Sequence, residues 1–187
     1  MTTRRLTAAL ALGILAWMAN PALAQDKGKT EAAKLASESQ AALQQLYANV
    51  PLAKELGKKA TAILVFAKVT KAGLGIGGQY GEGTLLKGGA ATAYYKTTGA
   101  SFGLQAGGQN YGYAMFFMNP GAVAGLDAAK GFEVGVGPSI VVVDEGMGKS
   151  STTQTLKSDV YAFIFSQKGI MAGLGIQGNK ITKITPK

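Results

Sequence analysis

The side chains that most often make and break bonds are scarce in this chain. It has no Cys and no His. That removes thiol nucleophiles, Ser-His and Cys-His relays, disulfides and metal sites of the usual kind. Carboxylates remain as general acids or bases, and Glu82, Glu133, Asp144, Glu145 and Asp159 lie in the β-rich part of the sequence. None is flanked by a recognisable catalytic pattern, so an ordinary surface or turn role is the simpler expectation for each. A hydrolase using Glu82 or Asp159 is the enzymatic alternative. No cofactor and no metal are expected.

Two glycine runs satisfy G-x-G-x-x-G literally: Gly73, Gly75 and Gly78, then Gly173, Gly175 and Gly178. The dinucleotide fingerprint also needs a helix opening at the third glycine and an acidic residue about 20 positions further on. A glycine-rich stretch over residues 79–89 follows the first run instead, and no acid stands at the expected place. Gly148-Lys149-Ser150 lacks the glycine that a phosphate-binding loop needs five residues earlier, because that residue is Val143. Nucleotide binding is therefore not expected.

What remains is non-covalent chemistry. Lys and Arg number 19 against 10 acidic residues, and both arginines, Arg4 and Arg5, lie in the first five residues. Arg4 and Arg5, the apolar run Leu6 to Met18 and Ala22-Leu23-Ala24 read as a cleaved signal peptide over residues 1–24. No Cys follows the apolar run, so a lipoprotein anchor is not expected, and the destination is the periplasm. Without residues 1–24 the chain keeps 17 lysines, no arginine and 10 acids, a net charge of +7. Lysine supplies point charge without the planar fork that reads bases, so nucleic acid is not the expected partner. Such a surface suits anionic headgroups or other polyanions at low specificity. The plainer alternative is that lysine keeps a glycine-rich β protein soluble and guards its edges.

Residues 25–187 fit one domain. Gln25 to Thr30 reads as a flexible leader. Leu35, Ala42, Leu43, Leu46, Tyr47 and Val50 recur at helical spacing, which predicts a helix over residues 31–48. Asn49 as cap and Pro51 in the first turn predict a second helix over residues 52–59, with Lys54, Lys58 and Lys59 on its polar side. From Thr61 the period changes to two. Strands are expected at 62–69, 72–78, 84–87, 91–96, 100–107, 111–118, 132–143, 155–166, 169–178 and 180–184, with a short helix after Asn119-Pro120 and turns at Gly81, Gly83, Gly88 and Gly89.

The segment Ala72-Gly73-Leu74-Gly75-Ile76-Gly77-Gly78 returns as Ala172-Gly173-Leu174-Gly175-Ile176-Gln177-Gly178. Alternation leaves one strand face as bare backbone, so Gly73, Gly75, Gly77, Gly173 and Gly175 are structural glycines that allow close approach. The aromatic set Tyr94, Tyr95, Phe102, Tyr111, Tyr113, Phe116 and Phe117 reads as core, with some rings free to line an apolar groove. Tyr94 and Tyr95 point to opposite faces, so at most one is core. The fold class is α+β: N-terminal helices packed on a twisted, largely antiparallel sheet or partly closed β-barrel.

Together these blocks resemble the SYLF lipid-binding family. The resemblance runs from the helix ending at Pro51 through Ala62-Ile63-Leu64-Val65-Phe66, the first glycine run, Gly81-Glu82-Gly83 and residues 101–107, and closes at residues 165–178. It implies a non-enzymatic module that binds phosphoinositides or other anionic lipids. Eukaryotic relatives act in the cytosol at membranes and with actin. Three features depart from the family: the export signal, Ala67 where Pro is common, and Gly112 near a position that is commonly acidic. The resulting expectation is anionic phospholipid binding at an envelope membrane by Lys54, Lys58, Lys59, Lys68 and Lys71, with Tyr80 and Tyr94 against acyl chains. The alternative is a structural or envelope-interaction protein that self-associates through a sheet edge or glycine face.

Overall fold

The computed structural model describes residues 21–127, 132–133, 140–144, 158–169 and 178–187. The expected signal segment Leu6 to Met18, the loop carrying Glu145, and Gly173 and Gly175 of the second glycine run lie outside the described residues.

Helix α1 spans Pro21–Asn49 and α2 spans Pro51–Lys59. The break between them follows from Pro51, which pushes Val50 out of helical geometry to φ −128°, ψ 94°. Asn49 does not cap α2 as expected. Val50 occupies the cap position without a side-chain bond, and Asn49 Nδ2 donates back to Gln45 O at 2.9 Å. α1 also begins earlier than its apolar spacing indicates, so residues 25–30 are helical and not a flexible leader. Ser39, Leu43, Leu46 and Val50 are buried along one stripe, whereas none of residues 26–38 is. The first third of α1 therefore overhangs the body it is anchored to.

The sheet is dominated by one hairpin. Strand β1 (Ala62–Lys87) pairs antiparallel with β2 (Ala90–Phe117) along almost its whole length. Gly88 and Gly89, at φ 56° and 83°, make the tight two-residue turn that needs positive φ at both positions. Gln40 of α1 donates to Gly89 O at 2.9 Å and clips that turn to the helix. Gly81 and Gly83 are not turns. They lie inside β1, as do Gly73, Gly75 and Gly77, and the three short strands expected over residues 62–87 are one strand. The three expected over 91–118 are likewise one.

Strands of 26 and 28 residues are several times the common length, and a hairpin that long must bend. Register irregularities fall between Phe66 and Val69, Leu74 and Ile76, and Leu85 and Leu86. They bend β1 until its second half lies on its first. A Cβ on Gly81 would lie 2.7 Å from Val69 Cγ2 and 2.8 Å from Lys68 O, and one on Gly83 would strike Val65 O and the Phe66 ring. At the bend, a Cβ on Gly73 would meet Gly77 Cα and sit 2.7 Å from Ile76 O.

After β2, helix α3 (Pro120–Ala124) is capped by Asn119, whose Oδ1 accepts from Ala122 N at 2.8 Å, and a 3-10 turn follows at Gly125–Asp127. Among the described residues four further strands join the sheet: β3 (Phe132–Glu133), β4 (Ile140–Asp144), β5 (Val160–Gly169) and β6 (Lys180–Ile184). Their order is β3-β6-β2-β5-β4, with β1 on β2, and only β4–β5 is parallel among these pairings. β2 offers residues 109–117 to β5 and 94–98 to β6. The architecture is the expected α+β class with a largely antiparallel, curled sheet.

Alternation divides the core in two. The inner face gathers Leu64, Phe66, Val69, Leu85, Tyr95, Tyr111, Tyr113, Met115 and Phe117, closed by Ala122, Val123 and Leu126. The outer face carries Ile63, Val65, Phe116, Phe163 and Phe165 under Leu43, Leu46, Leu52 and Leu56 of the helices. Tyr95 is core and Tyr94 is not.

Because Gly83 faces backbone and a buried ring, Gly83→Val should destabilise the fold by about 2–3 kcal/mol through overpacking. Gly78→Ala, whose Cβ would find only Gly99 O at 3.9 Å, should stay within about 0.5 kcal/mol of wild type. Urea unfolding midpoints of the two variants check this, and equal midpoints would contradict the folded-back strand.

Candidate functional site

The overhang of α1 leaves a groove between its first turns, β2 and the segment from β6 onward. The groove holds about 740 Å³. Its floor is built on Tyr94 and Ile184, which are direct cross-strand partners, and is extended by Ala93, Ala32 and Pro186. Lys27, Lys29, Lys183 and Lys187 line its rim, and no acidic residue is among the lining side chains. A Cβ on Gly28 would lie 3.0 Å from Pro186 O, so the missing side chain is what lets the helix close on the 183–187 segment.

Charge is not uniform around that rim. Lys183 Nζ donates to Asp127 Oδ1 at 3.0 Å, and the Tyr95 hydroxyl donates to the same oxygen at 3.1 Å. The Lys183 ammonium holds the Asp127 carboxyl below its ordinary value. Lys183 is thus a tether for the segment, and the remaining positive charge comes from Lys27, Lys29 and Lys187. Neither of the two ion pairs among the described residues involves these three.

A second cavity of about 710 Å³ lies further along α1, between Glu31, Lys34 and Glu38 on the helix and Lys68, Tyr80, Glu82 and Lys96 on the sheet. Its lining is mixed in sign. The Tyr80 hydroxyl donates to Glu82, and that bond, with some burial and the Glu82 charge, raises the phenol to about 12. Mixed charge gives this cavity no preference for an anion.

The residues singled out from sequence do not converge. Lys54, Lys58 and Lys59 stand exposed on α2, opposite the buried Leu52, Ala53 and Leu56. Lys58 is held by Glu55 at 2.6 Å. Lys68 is exposed and shares the second cavity with Tyr80. Lys71 is only 5% exposed, on the inner side of the sheet and opposite Gln109. Lys68 and Lys71 stand three apart, so alternation sends them to different environments, and the irregularity between Phe66 and Val69 turns Lys68 away from the Phe66 face. Tyr94 alone lies in the groove. Lys27, Lys29, Lys183 and Lys187 escaped notice because they stand at opposite ends of the sequence. A signal was nonetheless present: Lys27 and Lys29 flank a glycine early in the chain, and no acid follows Asp159.

Inside the curl lies a polar row. The Tyr111 hydroxyl donates to Gln79 Oε1 at 2.8 Å, and Gln79 Nε2 donates to Asn179. Burial raises the Tyr111 phenol from 10.0 to about 12, opposed by hydrogen bonding with Asn179. Burial raises Tyr113, which is fully enclosed, further still.

Residues 98–185 match the family model described as Ysc84: Las17-binding protein actin regulator. No curated protein matches the chain significantly. The matched residues take in most of β2 and all of β3 to β6, apart from residues ahead of Thr98, and they include Lys183 and Ile184 of the groove.

The fold favours the neutral Tyr111 phenol, so its contribution is complete below the unfolded value of 10.0 and is lost as pH rises to about 12. Stability from urea unfolding should therefore fall between pH 10 and pH 12. In Tyr111→Phe the fall should be shallower than in wild type, and identical slopes would refute the assignment.

Proposed function

With residues 98–185 matching the Ysc84 (SYLF) family, a family of binding domains, we propose that this chain is exported to the periplasm and binds anionic phospholipid at an envelope membrane without catalysing a reaction. The observation that carries the reading is the groove, where lysine ammonium groups and apolar surface meet with no acidic side chain among the lining residues. Lys54, Lys58 and Lys59 on α2 add charge that acts at longer range, over roughly a Debye length of 8–10 Å. Each lysine near an anionic surface contributes about 1 kcal/mol, so a handful gives reversible, salt-sensitive attachment.

The structural alternative draws support from β1, which pairs with β2 alone among the described strands. Light scattering separates the two, since self-association without lipid uptake favours edge pairing.

Processing at the leader should leave Gln25 as the first residue of the periplasmic protein, which N-terminal sequencing of a periplasmic extract checks. Recovery of the whole protein with residues 1–24 attached would overturn export by cleavage.

In co-sedimentation, the processed protein should bind vesicles of phosphatidylcholine mixed with phosphatidylglycerol and ignore phosphatidylcholine alone. Binding should weaken as salt rises. Lys27→Glu with Lys29→Glu should lower affinity by at least about tenfold at low salt. Equal binding to both vesicle types would end the membrane reading.

A further inference from the structure

Resting on that reading, we propose that the groove takes a single-chain anionic lipid, one molecule per protein, with the acyl tail on the Tyr94–Ile184 floor and the acidic head at Lys27, Lys29 and Lys187. The groove is open along one side. Its floor lies between α1 and the 183–187 segment, and a volume of about 740 Å³ falls within the range of roughly 300–1,000 Å³ typical of small-molecule sites. A groove of that size has room for one extended chain.

The groove also has a polarity along its length. Gly28 and Ala32 are four residues apart and share the helix face turned to the protein body. At Gly28 the helix touches Pro186, with Lys27 and Lys29 straddling the contact and Lys187 directly after it. One helical turn on, about 6 Å along the axis, the face is the small side chain of Ala32, and the sheet offers Ala93 and Tyr94. Lys27 and Lys29 stand at one end, where Lys27 and Lys187 also share a smaller cavity with Asp26 and Glu31, and small and aromatic apolar groups stand at the other. That arrangement matches an amphiphile with its charge at one terminus. Pairing of Lys180 to Ile184 with β2 keeps that wall in place.

Calorimetric titration of the processed protein with dodecanoate and with dodecyl phosphate, both below their micelle-forming concentrations, tests the proposal, with dodecyl maltoside as the uncharged control. Both anions should bind one per chain, and the control at least about tenfold more weakly. Ala32→Phe, at a half-exposed helix position, should fill the apolar end. It should lower dodecanoate affinity at least about tenfold while far-ultraviolet circular dichroism stays as in wild type. Unsaturable binding, equal affinity for the maltoside, or unchanged affinity in Ala32→Phe would overturn the proposal. Vesicle binding without dodecanoate binding removes the groove ligand and leaves the membrane reading standing. Dodecanoate binding without vesicle binding does the reverse.

Discussion

The structure depends on a close approach within one strand. β1 can lie on itself only because the backbone at Gly81 and Gly83 reaches the backbone and side chains of Val65 to Val69 with nothing in between. Interiors are packed to near-crystalline density, so a single methyl group at either position has no place to go. Once that contact forms, the long hairpin becomes a curl with an inside and an outside. The inside is then small enough to be closed by Ala122, Val123 and Leu126 of a short helix and its following turn.

The curl also determines where the helices can go. The outer side of the hairpin presents Ile63, Val65, Ala114 and Phe116, and α1 and α2 cover them with Leu43, Leu46, Leu52 and Leu56. That contact uses only the later turns of α1. The earlier turns extend past the hydrophobic stripe toward β6, where Gly28 meets Pro186. The groove is thus a by-product of an anchor shorter than the helix it anchors. Its rim draws on both ends of the sequence because the two ends meet there.

Much of this was legible in the residues. Alternating glycine announced close approach, and at Gly73 a Cβ would meet Gly77 Cα while Gly78 has room; the close contacts at Gly81 and Gly83 fall on glycines read as turns. The period-two patterning placed the β region, and Asn119-Pro120 placed α3 with its cap. The misreadings share one cause. Glycine marks turns and also marks bends within strands, and local sequence does not separate the two uses. Only Gly88 and Gly89 take positive φ in the β1–β2 turn, whereas Gly81 and Gly83 stay extended within β1. The start of α1 was illegible for a different reason: residues 25–30 bury no stripe, so they carry no periodic signal even though they are helical. Lys68 and Lys71 were grouped because they are close in sequence, although residues three apart on a strand face opposite ways unless a bulge intervenes, and the irregularity falls before Val69 and not at Thr70.

The absence of arginine after the leader bears on how selectivity could arise under the proposed function. Arginine reads a phosphate or carboxylate by geometry, through two parallel bonds in a fixed fork. Lysine attracts any anion of the right sign and places few demands on its shape. A lysine-only surface, such as the outward side of α2, therefore draws a protein toward negative charge without choosing among its sources. Discrimination has to come from somewhere that shape matters, which means from apolar contact in a recess. Among the described cavities, the groove at Tyr94 and Ile184 joins an apolar floor to unbalanced positive charge, whereas the cavity at Tyr80 mixes both signs. The division that follows is between exposed lysines that set how often a lipid surface is met and a recess that sets what is kept.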